Sequence, residues 1–223
     1  DGNTAEYVYD SNNRVTEIKD IRNNTTKFTY NENGLPSKVS INERDYIYEY
    51  EKGKLIKTTN PDKTTQTYKY DSAGRPIRIT DSEGRTITYK YDALGNILQK
   101  KDASGIIINY TYDSRGNKLT ESDSKNNITK YTYDGNDNLT AVTDPLGNKT
   151  TYKYTNEGKI KEIIDPDYIY ENYYYDKGGR LVRYSNFNGD TKYTYDERGN
   201  LITKTNPTGG KTEYTYYNND ILK

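Results

Sequence analysis

Cysteine, histidine, methionine and tryptophan are all missing from this chain of 223 residues. Without cysteine there is no disulfide framework and no clue to redox compartment. Without thiolates and imidazoles a zinc or copper centre has no ligand set. Ser-His-Asp and Cys-His catalysis lose their base or their nucleophile. No run of about 18 apolar residues occurs, so no helix is expected to cross a membrane and no membrane insertion is expected. The first ten residues, DGNTAEYVYD, lack the basic-then-apolar order of a signal peptide. Charge of one sign is also missing in excess: 33 basic residues balance 33 acidic ones. A nucleic-acid partner is therefore not expected, since phosphate neutralisation calls for a basic surplus.

Aliphatic residues are scarce as well. Only 30% of the chain is apolar and much of that share is tyrosine, which leaves little for a thick dry core. Yet 27 tyrosines with many Thr, Ile and Val are strand-forming residues, not the composition of a disordered chain.

What is present is a repeat. An aromatic-x-Tyr triplet ends at Tyr9, Tyr30, Tyr50, Tyr70, Tyr91, Tyr112, Tyr133, Tyr154, Tyr175, Tyr195 and Tyr216, with every interval 20 or 21 residues. In the copy RTITYKYDALGNILQKKDASG, Ile87, Tyr89 and Tyr91 alternate with Thr86, Thr88 and Lys90. Period two with β-branched and aromatic residues predicts a strand. Asp92-Ala93-Leu94-Gly95 then spells a turn, with Asp first and Gly fourth. A second strand is predicted from Asn96 to Lys101, followed by a second turn from Asp102 to Gly105. The turn residues recur as Asp71 and Gly74, Asp113 and Gly116, Asp144 and Gly147, and Asp196 and Gly199. Asn186 to Gly189 and Asn206 to Gly209 carry Asn for Asp, and Pro61, Pro145, Pro166 and Pro207 follow the first turn residue in several second turns.

Each copy thus reads strand, turn, strand, turn. About eleven copies give an all-β chain, an antiparallel meander of tandem β-hairpins spanning residues 1–223 as one array. Twisted sheets rarely exceed about ten strands without curling, so a single-layer spiral or shell-like sheet is expected. The tyrosines are expected on its inner face, with Thr88, Lys90, Thr151 and Lys153 outward. Tyrosine suits such a half-wet surface, because its ring packs while its hydroxyl reaches water or a partner.

Tyr-Asp, then Gly-Asn or Gly-Arg, then Leu or Ile, then Asp-Pro-x-Gly, as in YDSRGNKL, YDERGNLI and YDALGNIL, resembles the YD-repeat (Rhs-repeat) family across essentially the whole chain. The pattern departs at Glu51, Asp137, Thr155 and Asp220, and at DPDYIYENYYY, where the second turn has lost its glycine. The resemblance implies a hollow β-shell in a secreted or cell-surface bacterial protein. It also implies other repeats of the same parent chain as partners, a toxin as cargo, and an association with carbohydrate. The array is read as part of something longer, and in isolation it is expected to fray or to self-associate end to end.

Asp92 and its equivalents could act as general acids or bases, but the turn code explains an Asp there completely. YDGNDN, Tyr133 to Asn138, has the oxygen-rich look of a calcium loop without the glycine and final glutamate of an EF-hand. No catalytic residue, metal or cofactor is expected. The expected function is a non-enzymatic structural module, the wall of a shell. The alternative is a carbohydrate- or cell-wall-binding array that uses its tyrosine ladder: Tyr89, Tyr91, Tyr110, Tyr112, Tyr131 and Tyr133.

Overall fold

The computed structural model describes residues 5–217 and 221–222. Among them are 21 strands and no helix. The chain divides into two compact units, Asp1–Asn109 and Tyr110–Lys223. The first holds β1 (Glu6–Tyr9), β2 (Val15–Lys19), β3 (Thr25–Tyr30), β4 (Pro36–Ile41), β5 (Arg44–Glu51), β6 (Lys54–Thr59), β7 (Thr65–Tyr70), β8 (Pro76–Asp81), β9 (Thr86–Tyr91) and β10 (Ile97–Lys101). The boundary falls within β11 (Ile107–Tyr112). The second holds β12 (Lys118–Asp123), β13 (Ile128–Tyr133), β14 (Leu139–Thr143), β15 (Lys149–Tyr154), β16 (Ile160–Ile164), β17 (Tyr170–Tyr175), β18 (Leu181–Asn186), β19 (Gly189–Tyr195), β20 (Leu201–Thr205) and β21 (Lys211–Glu213).

Within each unit strands that follow one another in sequence pair antiparallel, from β1 to β10 in the first and from β12 to β21 in the second, so each is a meander. Among the described residues only Ala141 and Thr191 count as buried, and no side chain is fully enclosed. With so little apolar area removed from water, each copy must be held chiefly by ladder hydrogen bonds, turns and contacts with its neighbours.

The two hairpins of a copy differ. Across the first turn the ladder reaches the turn but carries a β-bulge. Lys69 pairs with Arg78 while Tyr70 pairs with Pro76, which leaves Ile77 as the extra residue. The same shift recurs at Tyr9, Tyr30, Tyr50, Tyr133, Tyr154, Tyr175 and Tyr195. Across the second turn the ladder is short: Arg78–Thr88, Ile79–Ile87 and Thr80–Thr86 pair, and nothing beyond Arg78 does. Successive first-turn hairpins therefore part company at their turn ends.

The alternation of 20- and 21-residue intervals has a local cause. Three intervals are 20 residues long: Tyr30 to Tyr50, Tyr50 to Tyr70 and Tyr175 to Tyr195. Each contains a hairpin closed by two residues, at Ile41–Arg44, Glu51–Lys54 and Asn186–Gly189. In the first two both loop residues have positive φ, 47° and 66° for Asn42 and Glu43, and 49° and 75° for Lys52 and Gly53. That is the type I′ geometry whose twist matches the flanking strands. The Asn186 turn keeps the expected Asn-x-x-Gly order, with Gly189 at φ 109° and the Asn188 N–H donating to the Asn186 side chain at 2.9 Å, and differs only in that Asn186 and Gly189 pair directly. Where the second-turn glycine is lost, Tyr168 itself takes the left-handed conformation at φ 61°. Asp137 does the same in its first turn, at φ 65°. The departure at Asp220 lies outside the described residues.

On the outward face Lys90 and Lys153 are exposed as expected, whereas Thr88 and Thr151 are half-buried between neighbouring strands.

Candidate functional site

The repeated Tyr-Asp-x-x-Gly unit is the densest concentration of chemistry in the molecule, and its atoms can be followed one at a time. In the Asp113 turn the Gly116 N–H donates to the Asp113 carbonyl at 3.2 Å, and the Asp113 N–H donates to the Asn117 carbonyl at 2.9 Å. This is a three-residue loop, a type I turn followed by a left-handed glycine. The Asp113 Oδ1 accepts the N–H groups of Arg115 and Asn117, both at 2.9 Å, and Oδ2 accepts the Asn117 Nδ2 at 3.0 Å. Asp144 is held in the same three ways, by Leu146, Asn148 and the Asn148 side chain. Asp71 accepts the Arg75 N–H and its Nε, at 2.9 and 2.7 Å. Asp92 and Asp196 are capped by Asn96 and Asn200. The Gly-Asn or Gly-Arg pair of the repeat therefore supplies the donor that closes the carboxylate.

These bonds favour the ionised acid. The Asn96 and Asn117 side chains hold Asp92 and Asp113 below the ordinary carboxylate range, and the Arg75 backbone N–H does so for Asp71. The Asn148 side chain and the Asn200 N–H act likewise on Asp144 and Asp196. The turn glycines Gly74, Gly95, Gly116, Gly147 and Gly199 all have φ between 86° and 98°. These residues close the turns Asp71–Gly74, Asp92–Gly95, Asp113–Gly116, Asp144–Gly147 and Asp196–Gly199.

In the YDGNDN turn, the Asp134 Oδ1 accepts the N–H groups of Asn136 and Asn138, and Oδ2 accepts the Asn138 side chain. Asp137 pairs with the Arg115 Nε at 2.9 Å. Both carboxylates are used within the protein. Among the described residues no three His, Cys, Asp or Glu side chains cluster as metal ligands would.

The tyrosine closing each triplet has a defined partner. The Tyr91 hydroxyl donates to the Pro76 carbonyl at 2.8 Å. Tyr133 does the same to Lys118 at 3.0 Å, and Tyr30, Tyr50, Tyr70, Tyr154, Tyr175, Tyr195 and Tyr216 reach equivalent carbonyls at 2.7–3.1 Å. The acceptor is the residue that faces the previous tyrosine across its bulge, on the side where the next ladder has stopped. The bulge re-aims the chain, and the phenol spans the gap that the short ladder leaves. Burial pushes the Tyr91 and Tyr133 phenols above their usual value.

Sequence reasoning missed the third member, the basic residue after the turn glycine. Arg75, held by Asp71, lies with its guanidinium carbon 4.7 Å from the centroid of the Tyr91 ring, and its Nη1 donates to the Asp92 carbonyl at 2.7 Å. Arg180 repeats this over Tyr195, at 5.0 Å, and onto the Asp196 carbonyl. Lys159 lies over Tyr175 and donates to the Gly179 carbonyl. Arg14 over Tyr30 and Lys54 over Tyr70 keep the ring contact. A basic residue 15 or 16 positions before a tyrosine was the available signal.

The candidate ligand platform is half-buried throughout. Tyr89 and Tyr91 are neighbours, with ring centroids 6.3 Å apart. Tyr110 and Tyr131 share the Lys118 ammonium, 5.7 and 4.3 Å from their centroids, and Lys118 also pairs with Glu121 at 2.7 Å. Tyr112 ends its triplet like Tyr91 and Tyr133.

These features agree with comparisons to known proteins. The Teneurin YD-shell model matches residues 69–221, and the RHS Repeat model matches residues 9–44 and 48–86. No curated protein sequence matches the chain. Among solved structures, the crystal structure of TcdB2-TccC3-TEV is similar in fold, with TM-score 0.78 and 17% identity over 95% of this chain. TcdB2-TccC3 without its hypervariable C-terminal region gives TM-score 0.62 and 16% identity over 95% of the chain. The Photorhabdus luminescens Tc holotoxin pore with the TccC3-D651A mutation gives TM-score 0.54 and 13% identity over 99%. The chain spans 13, 15 and 18% of those three chains. With more than half of its length, residues 69–221, matched by one family model, the chain belongs to the YD-repeat family described as the teneurin YD-shell.

Proposed function

We propose that this chain is a length of wall in a Rhs-type β-shell, a non-enzymatic module whose 1–223 array works as one continuous stretch of repeats. The observation that carries this reading is the tyrosine-to-carbonyl bond made copy after copy. It spends the polar end of the tyrosine ladder on joining neighbouring repeats, and that is the work of a wall. The turn carboxylates of Asp92, Asp113 and Asp144 are likewise engaged by the turns they close, which supports a structural role for them. The family resemblance and the fold shared with Tc toxin components support a secreted or cell-surface bacterial protein in which such a wall encloses a toxin segment.

The test uses the intact parent protein. Protease added from outside should spare an enclosed segment until the shell is opened by denaturant. Equal digestion of that segment with and without denaturant overturns the enclosing role. A glycan array checks the ladder itself. Saturable sugar binding abolished by Tyr89→Ala or Tyr131→Ala would replace the wall reading with the carbohydrate-binding one.

A further inference from the structure

The zero net charge of the chain conceals a local segregation. One position recurs in every first-turn hairpin: the residue between the two aromatics of the triplet and its partner across the ladder. Glu49 faces Lys57 in an ion pair at 2.8 Å, and Lys153 faces Glu162 at 2.8 Å. The Thr111–Thr120 and Thr194–Thr203 hydroxyl pairs lie at 2.6 Å, and Arg183 sits 3.8 Å over the Tyr174 ring. Each is a complementary cross-strand pair of the kind that stabilises a sheet. Lys69 and Arg78, the corresponding pair on β7 and β8, carry like charge and face each other directly. Like charges so placed are destabilising. Positions that break a local rule without local compensation are where function is expected.

The surroundings extend the conflict. Thr88 lies between Arg78 and Lys101 in register, and Lys90 lies two residues along the same strand face. Lys69, Arg78, Lys90 and Lys101 are all exposed. The remaining side chains that share their face on β7 to β10 are threonines and Gln99, with no acid among them. Lys69, Arg78, Thr88 and Lys90 line a shallow depression together with Ile77 and Tyr89, at the place where the β8–β9 ladder ends.

We infer that this face of β7 to β10 is a docking surface for an extended acidic polypeptide segment. Charge complementarity sets the sign of the partner. Geometry favours a peptide: side chains facing each other across strands stand about 5 Å apart and diagonal ones about 7–8 Å, while alternate side chains of an extended chain are about 7 Å apart. A run of alternating acids therefore meets the Arg78–Lys90 diagonal in step, with Lys69 directly beside Arg78. By strand alternation the tyrosines of β7 and β9 belong to the opposite face and Tyr89 alone among them lines the depression, so the row of stacking rings that single-stranded nucleic acid uses is missing from this one.

The probe is a fluorescein-labelled peptide of alternating Glu and Ser, titrated with the whole chain and followed by anisotropy at low and at physiological salt. Saturable binding that weakens with salt is expected. Arg78→Glu should weaken it about tenfold or more, as loss of focused charge does. The same variant should raise the urea midpoint, because Glu at 78 would face Lys69 as Glu162 faces Lys153. Lys90→Thr places at that position the residue found at Thr111 and Thr132, and should weaken binding with the fold intact. Lys153→Thr, in the second unit, should leave binding unchanged. Absence of saturable binding, equal binding by all variants, or a lowered midpoint for Arg78→Glu with binding retained overturns the assignment. So does tighter binding of dextran sulfate, a single-stranded oligonucleotide or phosphatidylserine vesicles than of the peptide.

Discussion

The guanidinium of Arg75 lies 4.7 Å from the centre of the Tyr91 ring in the next copy of the repeat, while its Nε stays bonded to Asp71 in its own turn. One side chain thus couples a turn to the strand that follows it. A double-mutant cycle with Arg75→Ala and Tyr91→Leu should give a coupling of about 0.5–1 kcal/mol, the range of exposed cation–π pairs. Additive effects on the urea midpoint would show that the contact carries no energy.

The Tyr91 hydroxyl should also count by itself. Tyr91→Phe keeps the ring under Arg75 and deletes the bond to the Pro76 carbonyl. A loss of about 1 kcal/mol is expected, the net worth of a typical hydrogen bond. Tyr193→Phe changes a first-of-triplet tyrosine outside that set of hydroxyl-to-carbonyl bonds and should cost less. Equal losses in chemical denaturation would remove the hydroxyl bridge from the account.

Much of this architecture is readable from the chain. Asp92 and Gly95 mark the turn, Tyr89 and Tyr91 mark the strand, and the period fixes the meander. The bridging arginine was overlooked although its spacing of 15 or 16 residues before a tyrosine was there to read, because its partner lies in the next copy and its own turn already gives it a reason to be there. The bulge beside closing tyrosines such as Tyr70, Tyr133 and Tyr195 was equally hidden: the ladder slips by one residue without any residue type that announces it. The Asn186 to Gly189 turn was legible in its letters, with Gly189 at φ 109° and the Asn188 N–H on the Asn186 side chain; what the letters did not give was the register, in which Asn186 pairs directly with Gly189 and the interval to Tyr195 is one residue shorter.

Glycine should matter by conformation, not by identity. Gly95 sits at φ 98°, so Gly95→Ala should cost about 1–2 kcal/mol, the penalty of the left-handed region for an L-residue. Gly135 has no positive φ, and an added Cβ there would meet nothing within 4 Å. Gly135→Ala should therefore stabilise by about 0.4–1 kcal/mol through the unfolded chain. Midpoints moving the same way for both would refute the turn geometry.

Tyr168 offers the converse change. Its φ is 61° and its side chain is 76% exposed, so it bears the backbone cost with little packing in return. Tyr168→Gly should raise stability by about 1 kcal/mol. A fall in the thermal midpoint would mean that the exposed ring is held by contacts worth more than the strain.

Acid and alkali should loosen the array from opposite ends of one design. The turn carboxylates of Asp71, Asp92, Asp113, Asp144 and Asp196 are held below their ordinary value by the donors that close the turns. A depressed folded value means that the unfolded chain takes up protons first. The stability they contribute is therefore complete above the unfolded carboxylate range, about pH 4, and is lost as pH falls through the folded values. The bridging phenols of Tyr50, Tyr70, Tyr91, Tyr154, Tyr175 and Tyr195 are raised by burial. Here the folded state keeps its proton longer, so their contribution is complete below the unfolded phenol value of about 10 and is lost as pH climbs toward the folded ones. Between these limits the chain has no histidine to titrate. The urea midpoint should stay flat from about pH 5 to pH 9, fall below about 4 and fall again above about 10. In Tyr91→Phe the alkaline fall should be smaller while the acid fall is unchanged. An alkaline limb that does not respond to that substitution would separate the phenols from the stability of the sheet.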